Sequence, residues 1–262
     1  MTVPPVVPAD TDHRGAIESP VTVRTMFDRI VPRYDLMNHV MTGGMDIRWR
    51  GMVSKQASTV HGKRSVDVLD VATGTGDLAF AMSKAGVENV VGLDFSPEMI
   101  AAAKTKGRTK HSTVTFQVGN AMHLPFADGR FDACTVSFGL RNMPDYEAAI
   151  VEMTRILRPG GRFICLEMTP FKRPLLGPPF KIYFEQIVPV IGGVVSGDAE
   201  AYKYLPQSVA AFPPANELAE LMKLAGLSNV TYQMLGFGTV AIHSGIRESS
   251  EEGGIGKGSA NS

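Results

Sequence analysis

The chain has 262 residues, 44% apolar and 20% charged, an ordinary globular composition with length for a full core. Its 26 basic and 26 acidic residues cancel, which argues against a nucleic-acid partner, because such proteins carry a basic footprint. The two cysteines, Cys134 and Cys165, sit inside apolar strand-like runs; they offer no disulfide framework and no metal spacing, and they fit a reducing, cytoplasmic compartment.

Residues 1–20 hold four prolines, lack a continuous apolar core and carry Asp10, Asp12 and Glu18, which predicts a flexible tail and no secretory signal. One domain is predicted over 21–247, followed by a disordered Gly/Ser-rich tail at 248–262. "RYDLMN" reads as helical, with Tyr34 and Asn38 on one face. "SVDVLDVA" (65–72) reads as a buried strand and leads into a helix from Gly76 to about Lys84. "NVVGLDF" is a second strand, and "SPEMIAAAKTK" a second helix with Ser96 as N-cap and Pro97 at the first helical position. A third strand is expected at 112–120 and a fourth at 131–139, then a helix at 145–157 that "RPGG" stops, then a fifth strand at 162–168. An irregular insertion at 169–214 holds eight of the 17 prolines. "LSNVTYQML" and "GTVAIHSG" close the chain as a hairpin around Gly236-Phe237-Gly238. Apolar strands alternating with helices predict an α/β fold, a mostly parallel Rossmann-like sheet covered on both faces.

Ligands of such sheets bind beyond the carboxyl ends of the strands. There, "DVLDVATGTGDLAFAM" ends a strand in Asp70 and turns through Gly74 and Gly76. A Walker loop is excluded, because no Gly-Lys-Ser/Thr follows. Gly74-x-Gly76-x-x-Ala79 with Asp94 downstream satisfies a dinucleotide pattern, but alone that pattern is weak. Asp70 would repel a pyrophosphate and welcome a sulfonium or ammonium group. Asp94 is placed to accept from two ribose hydroxyls, and Asn120 to meet an adenine edge. Together they predict S-adenosylmethionine. The plain alternative is a tight turn with Asp70 and Asp94 as local caps.

With these motifs in view, the sequence resembles the UbiE/COQ5/MenG family of class I methyltransferases, which methylate a ring carbon of isoprenoid quinols. The likeness rests on "FDRIVPRYDLMNHVMTGGMDIRWR", "LDVATGTGDLAF", "FGLRNMPD", "LRPGGRF", "GDAEAYKYLPQSVAAFP" and "TVAIHSG". It implies a seven-stranded sheet with an antiparallel C-terminal hairpin, and cofactor contacts at Thr75, Asp94, Asn120, Ala121 and Ser137. One departure stands out, since the family's class places a glycine where this chain has Ala72.

The resemblance also points to Arg141 and Asn142 as catalytic. Arginine stays charged in proteins, so Arg141 is expected to stabilise the developing phenolate while a water oriented by Asn142 carries the proton away. Tyr34, Asp35 and Asn38 are candidates to close over the cofactor, and Tyr34, Asn38 and Tyr183 to touch substrate. His39, His123 and His243 are weighed as bases and set aside, His243 last. The apolar run Leu175–Val195, broken by prolines and charges, is too interrupted to span a membrane. It reads as a wall for an isoprenoid tail, with peripheral contact at the inner face of the membrane. The implied reaction converts demethylmenaquinol to menaquinol; methylation of a benzoquinol in ubiquinone synthesis, or of another aromatic molecule, stays open. No metal is expected, and nothing in the sequence fixes the oligomeric state, for which a homodimer is one option.

Overall fold

The computed structural model describes residues 15–60, 62, 66–170 and 199–248; the run Leu175–Val195, Tyr183 and both distal tails lie outside them. Three N-terminal helices, α1 (Pro20–Ile30), α2 (Tyr34–Thr42) and α3 (Met45–Ala57), precede the sheet. Then β1 (Asp67–Val71), α4 (Asp77–Lys84), β2 (Asn89–Asp94), α5 (Pro97–Thr109), β3 (Thr115–Val118), β4 (Phe131–Ser137), α6 (Tyr146–Arg155) and β5 (Leu157–Met168) follow in alternation. The chain continues with α7 (Ala199–Ala211), α8 (Ala215–Leu224), β6 (Leu227–Leu235) and β7 (Val240–Arg247).

The seven strands lie in the order β3-β2-β1-β4-β5-β7-β6. The first five pair in parallel, while β7 runs antiparallel to both β5 and β6. Successive residues of β1 bury opposite faces: Val68 packs with α3, α4 and α5, and Leu69 with α6 and α8. A smaller cluster joins Val23, Met26 and Ile30 of α1 to Met37 of α2 and to Tyr204, Leu205 and Val209 of α7. Both cysteines are free and buried. Among the described residues no helix is long and apolar enough to cross a membrane, and no cluster of candidate metal ligands occurs.

Local signals resolve as the physics requires. Ser96 caps α5 by accepting the Met99 amide at 3.0 Å, and Asp145 caps α6 by accepting that of Ala148. Two expectations need correction. "RPGG" is not a stop between helix and strand: α6 already ends at Arg155, and these residues form an irregularity inside β5 between its pairings at Leu157 and Arg162. The third strand is shorter than expected, four residues, and leaves Asn120 in a turn bridged to His123.

Gly92 on β2 lies beneath Phe116, so an added Cβ would stand 2.6 Å from that ring and 3.0 Å from the Thr73 methyl. Gly92→Ala is therefore expected to destabilise the fold by about 1–3 kcal/mol through overpacking, measured as a loss of several degrees in Tm with an unchanged circular dichroism spectrum.

Candidate active site

Neighbours β1 and β4 send their connections to opposite sides of the sheet, which opens a crevice beyond their carboxyl ends. Leaving β1, the chain passes through three left-handed residues, Ala72 (φ 52°), Gly74 (φ 56°) and Gly76 (φ 87°). At Gly76 only glycine fits, since a Cβ would meet Phe116 at 2.8 Å. Ala72 occupies strained backbone, and its methyl fills the space where Gly139 carries no side chain, 2.5 Å from where a Cβ at 139 would sit. The departure at Ala72 is thus accommodated by Gly139. Phe138, at the end of β4, is left-handed as well (φ 56°), so both strand ends that bound the crevice store strain.

Asp94 pins the glycine turn from β2. Its Oδ2 accepts the Gly74 amide at 2.7 Å and its Oδ1 the Ser96 amide at 2.9 Å. Each oxygen thus keeps one lone pair for a further donor, a tighter arrangement than a free carboxylate. Burial raises the Asp94 carboxyl above the usual range, opposed by those amides. Asp70 is 1% exposed and accepts the hydroxyls of Thr73 (2.6 Å) and Thr135 (2.7 Å). Burial pushes its carboxyl up to about 6 despite those donors. Asn120 is exposed and its Oδ1 accepts the Met122 amide, so the side chain is oriented by its own turn; Ala121 follows in that turn and packs against the core. Ser137, at the end of β4, has a buried hydroxyl without a partner.

The first two helices close over this turn. Tyr34 lies 3.5 Å from the Cβ position of Gly74, and burial pushes its phenol up, opposed by the Asn38 side chain beside it. Thr75 donates to Asp35, and Lys106 of α5 binds Asp35 at 2.6 Å and also Asp77. Ser96 donates to Asp28 of α1. The cavity left among Tyr34, Arg50, Asp70, Thr75 and Ser137 is about 20 Å³, room for one water. Ligand pockets run to roughly 300 Å³ and above, so this cavity as it stands is far smaller than a nucleoside requires. A larger cavity of about 580 Å³ lies beyond Arg50 and Asp77, against Phe80, Lys110 and His111. None of the strand-end residues lines it, so its size does not make it the site.

Arg141 sits in a 3-10 turn (Leu140–Asn142) past β4. It is 7% exposed and donates through Nη1 to Glu167 at 2.6 Å and to the Phe138 carbonyl at 2.8 Å, and through Nε to Ser208 at 3.4 Å. It is therefore a buried, paired cation and not a solvated one. Asn142 donates to the same Phe138 carbonyl, leaving its Oδ1 buried and unpartnered. Sequence reasoning missed Glu167 and the α7 residues Ser208 and Tyr204. An acid ending the apolar strand "RFICLEM" was the available signal for Glu167.

The histidines fall where packing explains them. His243 is 1% exposed, bonded to the Ala215 carbonyl at 2.8 Å, with its pKa lowered by burial; His39 is tied to Asp46 at 2.7 Å.

Residues 15–247 match the profile of the ubiE/COQ5 methyltransferase family. The chain belongs to that family. It is 45% identical over 223 residues, 85% of this chain and all of the relative, to a Thermus thermophilus protein named demethylmenaquinone methyltransferase. A Deinococcus radiodurans protein of the same name is 44% identical over 82% of this chain and 88% of its own. A Bradyrhizobium diazoefficiens protein named ubiquinone/menaquinone biosynthesis C-methyltransferase UbiE is 38% identical over 92% of this chain and 98% of its own. Among solved structures, the cyclase SpnF superposes with a TM-score of 0.67 at 19% identity, over 89% of this chain and 98% of its own. A Thermotoga maritima structure described as a SAM-dependent methyltransferase gives 0.60 at 19%, over 86% and 100%. At that identity these structures speak for the fold alone.

The pKa of Asp70 carries a stability signature. Its folded value, about 6, exceeds the 3.8 of a free carboxyl, so the native state holds this proton more tightly. The contribution is full below pH 4 and is lost as pH rises through about 6, on the order of 3 kcal/mol. Urea unfolding at pH 4.5 and 7.5 is expected to show that decline in the wild type and to lack it in Asp70→Asn.

Proposed function

We propose that the protein transfers the methyl group of S-adenosylmethionine to a ring carbon of demethylmenaquinol, releasing S-adenosylhomocysteine and menaquinol. The observation that carries this reading is a concentration of unmet polar groups. Among the described residues, Asn38 Nδ2, Ser137 Oγ, Asn142 Oδ1 and Tyr204 Oη, four of six such atoms, are buried without a hydrogen-bond partner. All four belong to residues that neighbour or electrostatically face Tyr34 or Arg141. Buried polar atoms are rarely left unpaired, and one of these, Ser137 Oγ, lines the same small cavity as Asp70 and Tyr34. The names of the Thermus and Deinococcus relatives, more similar to this chain than the Bradyrhizobium one, favour the naphthoquinol.

These residues fit the cofactor. Asp94 would hold the ribose, the turn at Asn120 and Ala121 the adenine, and Thr75 and Gly74 the approach of the amino-acid end, with Asp70 and Ser137 beside them. When bound, S-adenosylmethionine supplies an electrophilic methyl group. Tyr34 and Asn38 shut the crevice against water, which strengthens every interaction inside it. Arg141 stabilises the phenolate that develops as the quinol attacks. Because Glu167 neutralises its charge, it acts through fixed N–H donors more than through net field. Asn142, oriented by the Phe138 carbonyl, places the water that removes the proton. The same reading puts the enzyme at the cytoplasmic face of the membrane that holds the isoprenoid tail, reached by peripheral contact.

Mass spectrometry of products from reduced demethylmenaquinone and its benzoquinol counterpart tests this. The naphthoquinol is expected to gain one methyl group and the benzoquinol none; methylation of neither contradicts the reading. Arg141→Ala is expected to lower kcat at least about a hundredfold while the affinity for S-adenosylhomocysteine changes little.

A further inference from the structure

One face of α7 is laid against the 3-10 turn that carries Arg141, because Ser208 accepts its Nε. Tyr204 stands one helical turn earlier on that face. The Tyr204 side chain is 6% exposed and packs in the apolar cluster with Val23, Met26 and Ile30 of α1 and Met37 of α2. Among the described residues its hydroxyl has no hydrogen-bond partner, and Arg141 and Glu167 are among the charges that act on it. Such a group is out of place in a folded core: a lone phenolic oxygen among aliphatic side chains loses its water and gains nothing.

The surroundings define what would complete it. A ligand that meets aliphatic walls on one side and a single donor on the other is a flat apolar ring bearing few oxygens. Burial, opposed by Arg141 and reinforced by Glu18 and Glu167, holds the phenol up at about 12, so at neutral pH it is a donor and not a base.

We propose that Tyr204 binds the methyl acceptor, its hydroxyl donating a hydrogen bond to a ring oxygen of the quinol beside Arg141. This deepens the proposed function and rests on it, since it requires an oxygenated aromatic acceptor at Arg141. Tyr204 and Arg141 would then address the acceptor from separate elements, α7 and the turn past β4.

A ligand pair tests the assignment by calorimetry on the full chain saturated with S-adenosylhomocysteine. One ligand is 1,4-naphthoquinol kept reduced with dithionite; the other is naphthalene, the same ring system without oxygen. The wild type is expected to bind the quinol more tightly. Tyr204→Phe should raise the Kd for the quinol about tenfold while leaving naphthalene within about twofold, the signature of one lost hydrogen bond. Tyr204→Met, which keeps the bulk without the ring, should weaken the quinol at least as much. Equal weakening of both ligands by Tyr204→Phe, no weakening of either, or a parallel loss of affinity for S-adenosylhomocysteine would show a packing role and overturn the assignment, with the proposed reaction left standing. A wild type that does not prefer the quinol would overturn the proposed reaction and this assignment together.

Discussion

The carboxylate of Asp94 accepts the amide of Gly74 with one oxygen and the amide of Ser96 with the other. It thereby ties the loop after β1 to the loop after β2, and the crevice exists only because those loops are held apart and in register. Everything that reaches the site is aligned to this clamp. Gly74 brings the turn under Tyr34, Ser96 Oγ holds α1 through Asp28, and Thr75 holds α2 through Asp35. A partly buried carboxylate fixed by two backbone amides is costly to displace, which makes the floor of the site rigid while its helical cover is attached by side-chain contacts.

Charge is distributed accordingly. The donor end is acidic, with Asp70 and Asp94 both pushed toward protonation by burial, and a cation arriving there would relieve that cost. Past β4 the crevice carries a matched pair, Arg141 with Glu167, so that side offers directed donors without a strong field. That division suits a reaction in which a cationic sulfur compound meets a nearly neutral aromatic ring. Strain follows the same map: Ala72 and Phe138 adopt left-handed backbone at the two strand ends that face each other across the crevice, where tightly packed neighbours can sustain it.

Much of this was legible in the sequence, for identifiable reasons. The strands of the parallel core announce themselves because both faces are buried, so "SVDVLDVA" and "FDACTVSFG" read as continuous apolar runs. Ser96 and Asp145 are local caps whose partners lie three residues away, so pattern suffices. Gly74, Gly76, Asp70 and Asp94 were visible because each sits at the end of a strand. What stayed hidden depends on long-range pairing. That Arg141 is buried against Glu167, 26 residues later, requires knowing that β4 and β5 are neighbours. That Ser208 accepts from Arg141 requires the path of α7. The bulge within "RPGG" was misjudged because Pro and Gly mark both helix ends and strand irregularities.

The central claim is that the clamped crevice accepts a sulfonium-type cofactor and refuses a dinucleotide, although its glycine spacing permits either. Calorimetric titration of the protein with S-adenosylhomocysteine and, separately, with NADH decides between them. Saturable binding of the homocysteine compound at one per chain, with no heat from NADH, is the result this account predicts. Saturable binding of NADH with none of S-adenosylhomocysteine would contradict it.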